Sequence, residues 1–101
     1  DTRRVDLVFG ISYDDSIPDA LRVIEETVKA HPLVLADPEP VIRVHELAAS
    51  SVNFVCRPWT KTSDYWTVYW DLTHRMKEAF DTASITIPYP QQAVHIATRE
   101  A

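Results

Sequence analysis

Glycine occurs once in these 101 residues, at Gly10, and cysteine once, at Cys56. A single glycine rules out by count both the G-x-G-x-x-G turn and the Walker A loop, the backbone cradles that hold nucleotide phosphates. A single cysteine forms no internal disulfide, whereas small secreted domains are normally stapled by several, so this usage fits a reducing setting. Basic residues are also scarce: 10 Lys and Arg against 15 Asp and Glu leave a net charge of −5. That is the wrong sign for a surface that tracks phosphates, and nucleic acid is not expected as a partner. Long apolar runs are missing too. Stretches such as Leu33 to Ala36 and Val68 to Trp70 fall far short of the ~20 residues that cross a bilayer. The first residue is Asp1 and the only methionine is Met76, so the sequence reads as a piece of a longer chain.

What is present describes one globular domain: 46% of the residues are hydrophobic and 25% charged, enough for a single core at this length. Val5, Leu7, Phe9 and Ile11 alternate with more polar neighbours, which predicts a strand over Arg4 to Tyr13 with one face on the core. Ser16 offers a cap, Pro18 suits a first turn, and Ile17, Leu21, Ile24 and Val28 recur at helical spacing, giving a helix over Pro18 to Ala30. Three prolines make His31 to Pro40 a loop whose Leu33, Val34 and Leu35 plug the edge of the core. Val41 to Leu47 and Ser51 to Trp59 then read as a hairpin around Ala48, Ala49 and Ser50. With Val44 facing Phe54 and Ile42 facing Cys56, the apolar residues Ile42, Val44, Val52, Phe54 and Cys56 share one side. Arg43, His45, Asn53 and Arg57 take the other.

A longer helix follows from Ser63 or Asp64 to Ala83, burying Tyr65, Val68, Tyr69, Leu72, Met76, Ala79, Phe80 and Ala83. Trp66 and Trp70 point away from that stripe. Ser84 to Ile87 gives a short last strand, which Pro88 and Pro90 interrupt. The order is that of an α+β, ferredoxin-like βαββαβ domain over residues 1–90, with two helices on one face of a four-stranded antiparallel sheet. Residues 91–101 are left over, yet Gln91 to Ala97 still alternates like a strand, and a spare strand calls for another chain.

Candidate chemistry is thin. His31, His45, His74 and His95 lack metal-ligand spacing, so no metal is expected. Cys56 belongs to the apolar side of its strand, and Asp14 and Asp15 precede a helix, where acidic residues complement the dipole. Glu46 has no partner at a fixed spacing. Acylphosphatase-type enzymes share the topology, with Arg43 or Arg57 as the only candidate arginines, but Ser12 to Ser16 carries two aspartates that repel an anion. An ACT-like small-molecule regulatory module is the other alternative, although its ligand-binding glycine belongs at the first strand-to-helix turn and Gly10 lies inside the strand. No catalytic, cofactor-binding or metal-binding residue is assigned.

The segments SSVNFVCRPW and VYWDLTHRMKEAFDTASITIPYPQ, together with FGISYDDSIPDAL and VIRVHELAASSVNF, resemble the C-terminal region of the small-conductance mechanosensitive channel (MscS) family, from about Val5 to Ile96. The most specific element is I-P-Y-P-Q at Ile87 to Gln91. The resemblance implies a non-enzymatic domain without cofactors, on the cytoplasmic side of an inner-membrane channel that opens under tension to release solutes in hypoosmotic shock. Seven copies would form a hollow cage beneath the pore, and the transmembrane helices would lie elsewhere in the chain. This domain itself would not touch the membrane. Residues after the Pro-Tyr-Pro-Gln turn would each add one strand to an inter-subunit barrel, so that cyclic closure removes exposed edges. Trp66, Trp70, Pro88, Tyr89, Pro90, Gln91, Val94 and Ile96 are the subunit-interface candidates. One departure is that Ala83 and Ser84 stand where many relatives have a helix-ending glycine.

Overall fold

A computed structural model describes residues 1–88. In chain order these form β1 (Thr2–Arg4), β2 (Leu7–Ile11), α1 (Ile17–Lys29), β3 (Val41–Leu47), β4 (Val52–Arg57), β5 (Trp59–Lys61), a 3₁₀ turn at Thr62–Asp64, and α2 (Tyr65–Thr82). The sheet order is β2-β4-β3, with β1 and β5 as a separate pair, all antiparallel.

The long first strand expected from alternation is present but broken. Leu7 faces Cys56 and Arg4 faces Trp59, so both pairs follow one register and the ladder is interrupted only around Pro58. Proline has no N–H to give, and the ladder lapses where it would have to donate. Val5 still donates its N–H to the Pro58 carbonyl at 2.8 Å, which keeps the two halves aligned.

The hairpin has the expected register, with Ile42 opposite Cys56 and Val44 opposite Phe54. Beyond Val44 the register shifts, so Glu46 faces Asn53, Leu47 faces Val52, and His45 is left as the extra residue of a bulge. His45 is therefore not part of a regular polar face. A bulge on an edge strand twists it away from further pairing.

Ser16 caps α1 as its sequence suggests, its hydroxyl accepting from the Asp19 N–H at 3.3 Å, and Pro18 sits in the first turn. Ala20, Ile24 and Val28 are buried, Leu21 is half-buried, and Ile17 is on the exposed side. On α2 the stripe Val68, Leu72, Met76 and Phe80 is fully buried. Ala83 is exposed rather than buried, because it sits past the last helical residue. Helices and sheet close on one core that includes Val5, Leu7, Ile11, Phe54 and Cys56, with Phe9 meeting Phe80 edge to face at 6.2 Å. The loop after α1 lies along β5: Leu35 donates its N–H to the Trp59 carbonyl at 2.8 Å, and the buried Thr60 donates its hydroxyl to the Leu33 carbonyl at 2.9 Å. Leu33 and Val34 pack on the core, as their position in the loop predicts.

The segment Ser84 to Ile87, expected as the fourth strand, forms no ladder. It reaches the free edge beside β2 through one bond, from the Ser12 N–H to the Thr86 carbonyl at 3.0 Å. The Thr86 N–H goes instead to the Asp15 carboxylate at 2.8 Å. Asp15 thus serves this segment rather than the α1 dipole for which sequence reasoning cast it. The leftover strand Gln91 to Ala97 lies outside the described residues.

Candidate subunit-contact surface

Two of the eight interface candidates, Trp66 and Trp70, stand one turn apart on α2 and are 54% and 63% exposed. Their rings lie 5.6 Å apart and tilted by 33°, the spacing that i and i+4 residues share on a helix. Tyr69 closes on Trp66 at 5.4 Å, and Tyr65 meets Trp66 edge to face at 5.0 Å. The first turns of α2 therefore present four adjoining aromatic rings. Tyr65 is fixed from the other side by Arg3, whose guanidinium sits 3.7 Å from the ring centroid, a cation–π contact. Sequence reasoning missed Arg3, because its partner is 62 positions away and only the β1–β5 pair brings its strand to the start of α2. Large aromatics with a wet edge are favoured at protein contacts, which makes this exposed cluster the candidate face.

Pro88 is half-buried at the end of the described chain. Tyr89, Pro90, Gln91, Val94 and Ile96 lie outside the described residues.

The residues weighed for chemistry are held in structural roles. Burial pushes the Cys56 thiol up to about 12, far from the thiolate a nucleophile needs. His31 is buried and uses both ring nitrogens: Nδ1 accepts from the Leu33 N–H at 3.1 Å and Nε2 donates to Asp71 at 2.8 Å. That pattern ties the end of α1 to α2. Ser12 accepts from the Asp14 N–H through its hydroxyl, Asp15 holds Thr86, and Tyr13 donates its hydroxyl to the Ala48 carbonyl. The loop where a phosphate cradle would sit is thus pinned by its own side chains. Arg57 lies 4.0 Å from Asp6, and Arg43 borders a cleft of about 290 Å³ that also contains Glu25, Lys29 and Glu39. Gly10 is explained by packing: a Cβ there would come within 2.8 Å of Asn53 Oδ1, an oxygen already held by Ser51 while the Asn53 amide donates to Glu46. Among the described residues no cluster of three metal-ligating side chains occurs, and no helix is long and apolar enough to cross a membrane.

The geometry is that of an α+β domain with an exposed aromatic face at the start of α2. The family comparison gives that class its particular member. The family model described as "Mechanosensitive ion channel MscS, C-terminal" matches residues 5–87, and the chain belongs to the MscS family. The small-conductance mechanosensitive channel of Edwardsiella ictaluri is 44% identical over 94 residues, covering 93% of this chain and 33% of that protein. An uncharacterised MscS family protein of Synechocystis is 38% identical over 98 residues, covering 97% of this chain and 33% of its own length. The crystal structure of Helicobacter pylori MscS in its closed state superposes with a TM-score of 0.82 at 28% identity, over 87% of this chain and 35% of that one. The chain thus spans about a third of the length of these relatives.

Proposed function

We propose that this chain is the cytoplasmic cage domain of an inner-membrane mechanosensitive channel, an assembly and solute-filter module that performs no catalysis and binds no cofactor. The observation that carries the reading is the match of residues 5–87 to the MscS C-terminal family model. In the full channel seven copies close into a ring, the pore opens under membrane tension to release solutes in hypoosmotic shock, and membrane-spanning helices lie elsewhere in the same polypeptide. The face carrying Trp66 and Trp70 packs on a neighbouring copy. Gln91 to Ala97, with Val94 and Ile96 on one side of its alternation, adds one strand per copy to a barrel entered through Pro88, Tyr89, Pro90 and Gln91. Cyclic closure leaves no strand edge open, which supports that assignment for an otherwise spare strand.

The test is to express the complete gene product in cells deprived of their own mechanosensitive channels and to measure survival of a hypoosmotic down-shock. Rescue is expected, along with a heptamer on native mass spectrometry in detergent. Replacing Trp66 and Trp70 together by alanine should leave the isolated domain's melting temperature within about 2 °C, since both are exposed, while weakening the heptamer. No rescue by a well-expressed protein would refute the channel assignment. An undiminished heptamer in the double variant would refute the tryptophan contact.

A further inference from the structure

We propose that the cleft between the C-terminal end of α1 and the start of β3 binds a zwitterionic small molecule, an α-amino acid with an aliphatic side chain. The cleft holds about 290 Å³, and four charged side chains border it: Glu25 and Lys29 from α1, Glu39 from the loop, and Arg43 from β3. The buried Val28 and Ile42 lie among them. Across Lys29, Glu39 and Pro40, which border both, a second hollow of about 340 Å³ opens onto Val34, Leu35 and Ala36. Each volume is near the lower end of the roughly 300–1,000 Å³ that small-molecule pockets occupy.

The charges point to a zwitterion. Elsewhere on the surface opposite charges close on each other: Arg4 on Asp6 at 2.7 Å, Arg22 on Asp19 at 3.2 Å and Lys77 on Asp81 at 2.6 Å. Glu25 and Lys29 stand four apart with the glutamate first, the order that favours pairing on a helix. Yet neither they nor Glu39 and Arg43 enter an ion pair with any described residue. Two acids and two bases are thus left open around one hollow. A simple anion gains from Lys29 and Arg43 but is repelled by Glu25 and Glu39, and a simple cation meets the reverse. A molecule with both charges on adjacent atoms satisfies both pairs. Its ammonium turns to the carboxylates and its carboxylate to Lys29 and Arg43, the guanidinium being able to hold both oxygens. The last turn of α1 adds to the ammonium side, because the helix dipole places negative charge there.

The second hollow sets the side chain. A group leaving the charged head over Pro40 meets Val34 and Leu35, which favours an aliphatic side chain and leaves glycine with nothing to bury. The walls are built in advance. The Leu35 N–H is held by the Trp59 carbonyl and the Leu33 carbonyl by Thr60, both on β5. Arg43 sits in the regular part of the hairpin, opposite Val55. Little backbone therefore has to be ordered when a ligand arrives. The site uses groups of one copy only and does not rest on the channel reading.

The test is a titration of the isotopically labelled 101-residue chain with L-leucine, followed through its amide nuclear magnetic resonances. Saturable shifts are expected at Lys29, Leu35 and Arg43, with half-saturation in the millimolar range because the charged groups are exposed. N-acetyl-leucine lacks the ammonium, leucinamide the carboxylate and glycine the side chain, and each should bind at least about fivefold more weakly. Replacing Glu39→Gln and Arg43→Gln together should weaken leucine by at least about fivefold, whereas Lys77→Gln, on α2, should leave it unchanged. Both cleft positions are exposed, so the fold persists, and unchanged resonances outside the cleft verify it. Absence of saturable shifts overturns the proposal. So does binding of any of the three analogues as tight as that of leucine, or undiminished binding by the double variant.

Discussion

Ser84 ends α2 in the left-handed region, at φ 60°, a conformation that glycine adopts without strain. Its N–H donates to the Asp81 carbonyl at 3.2 Å and the next N–H, of Ile85, to the Phe80 carbonyl at 2.8 Å. These are the two bonds of a Schellman motif, and the accompanying apolar contact falls on Phe80 and Ile85, 0% and 6% exposed. Holding a non-glycine residue in this conformation costs about 1–2 kcal/mol, whereas glycine loses roughly 0.5–1 kcal/mol of extra chain entropy on folding. The difference favours Ser84→Gly by about 0.7 kcal/mol, a rise of roughly 3–5 °C in melting temperature for a domain of this length. A β-branched residue fits this conformation worst, so Ser84→Val should lower the melting temperature by about 5–10 °C. Thermal unfolding followed by circular dichroism measures both, with urea titration to confirm that the slope of stability against denaturant is unchanged. Ser84 is exposed, so contact loss does not confuse the comparison. A Val variant as stable as the Gly variant would refute the reasoning.

Cys56 should react with a thiol reagent at pH 8 only as fast as the domain opens, because a thiol raised to about 12 by burial is ionised in roughly one molecule in ten thousand there. Its ordinary value is 9.0, so between 9 and about 12 the unfolded chain binds fewer protons and stability falls as pH rises, with no contribution below 9. Cys56→Ala should remove that slope, and an identical alkaline decline in both chains would argue against it. His31→Ala strands both the Leu33 N–H and Asp71 and leaves a cavity, which should cost about 2–3 kcal/mol in urea denaturation. Asp71→Asn keeps an acceptor and should cost less than about 1 kcal/mol; a His31→Ala loss below about 0.5 kcal/mol would show that the tie between α1 and α2 carries little.

Features with a short period were legible in the sequence. Alternation placed the hairpin register at Ile42–Cys56 and Val44–Phe54, and three- and four-residue spacing placed both helices to within a residue or two. What escaped were contacts without a period. Pro58 could have been read as a break, since a proline inside a strand forfeits a ladder bond, but its partner Val5 is 53 positions away. The bulge at His45 has no local marker, because Val44, His45 and Glu46 alternate as well as a regular strand does. Asp15 looked like a helix-end charge and instead receives Thr86, a pairing that only the returning chain creates. The tryptophans were found by angle alone, as large side chains on the wrong side of an apolar stripe; the Arg3 contact with the neighbouring Tyr65 needed the sheet.

These missed contacts have something in common that bears on function. His31, Asp15, Thr60, Tyr13 and Asn53 include the groups a catalytic reading would recruit, and each is engaged by a backbone or side-chain partner within the domain. Moving any of them in a reaction would loosen an element: the loop on β5, the exit at Thr86, or the hairpin. Among the described residues the exposed large apolar side chains include Trp66 and Trp70 at the start of α2 and Val41, Val44 and Leu47 along β3. The residues that hold the fold and those of the aromatic face are therefore different, so Trp66 and Trp70 can be substituted without touching the contacts of His31, Asp15 or Thr60.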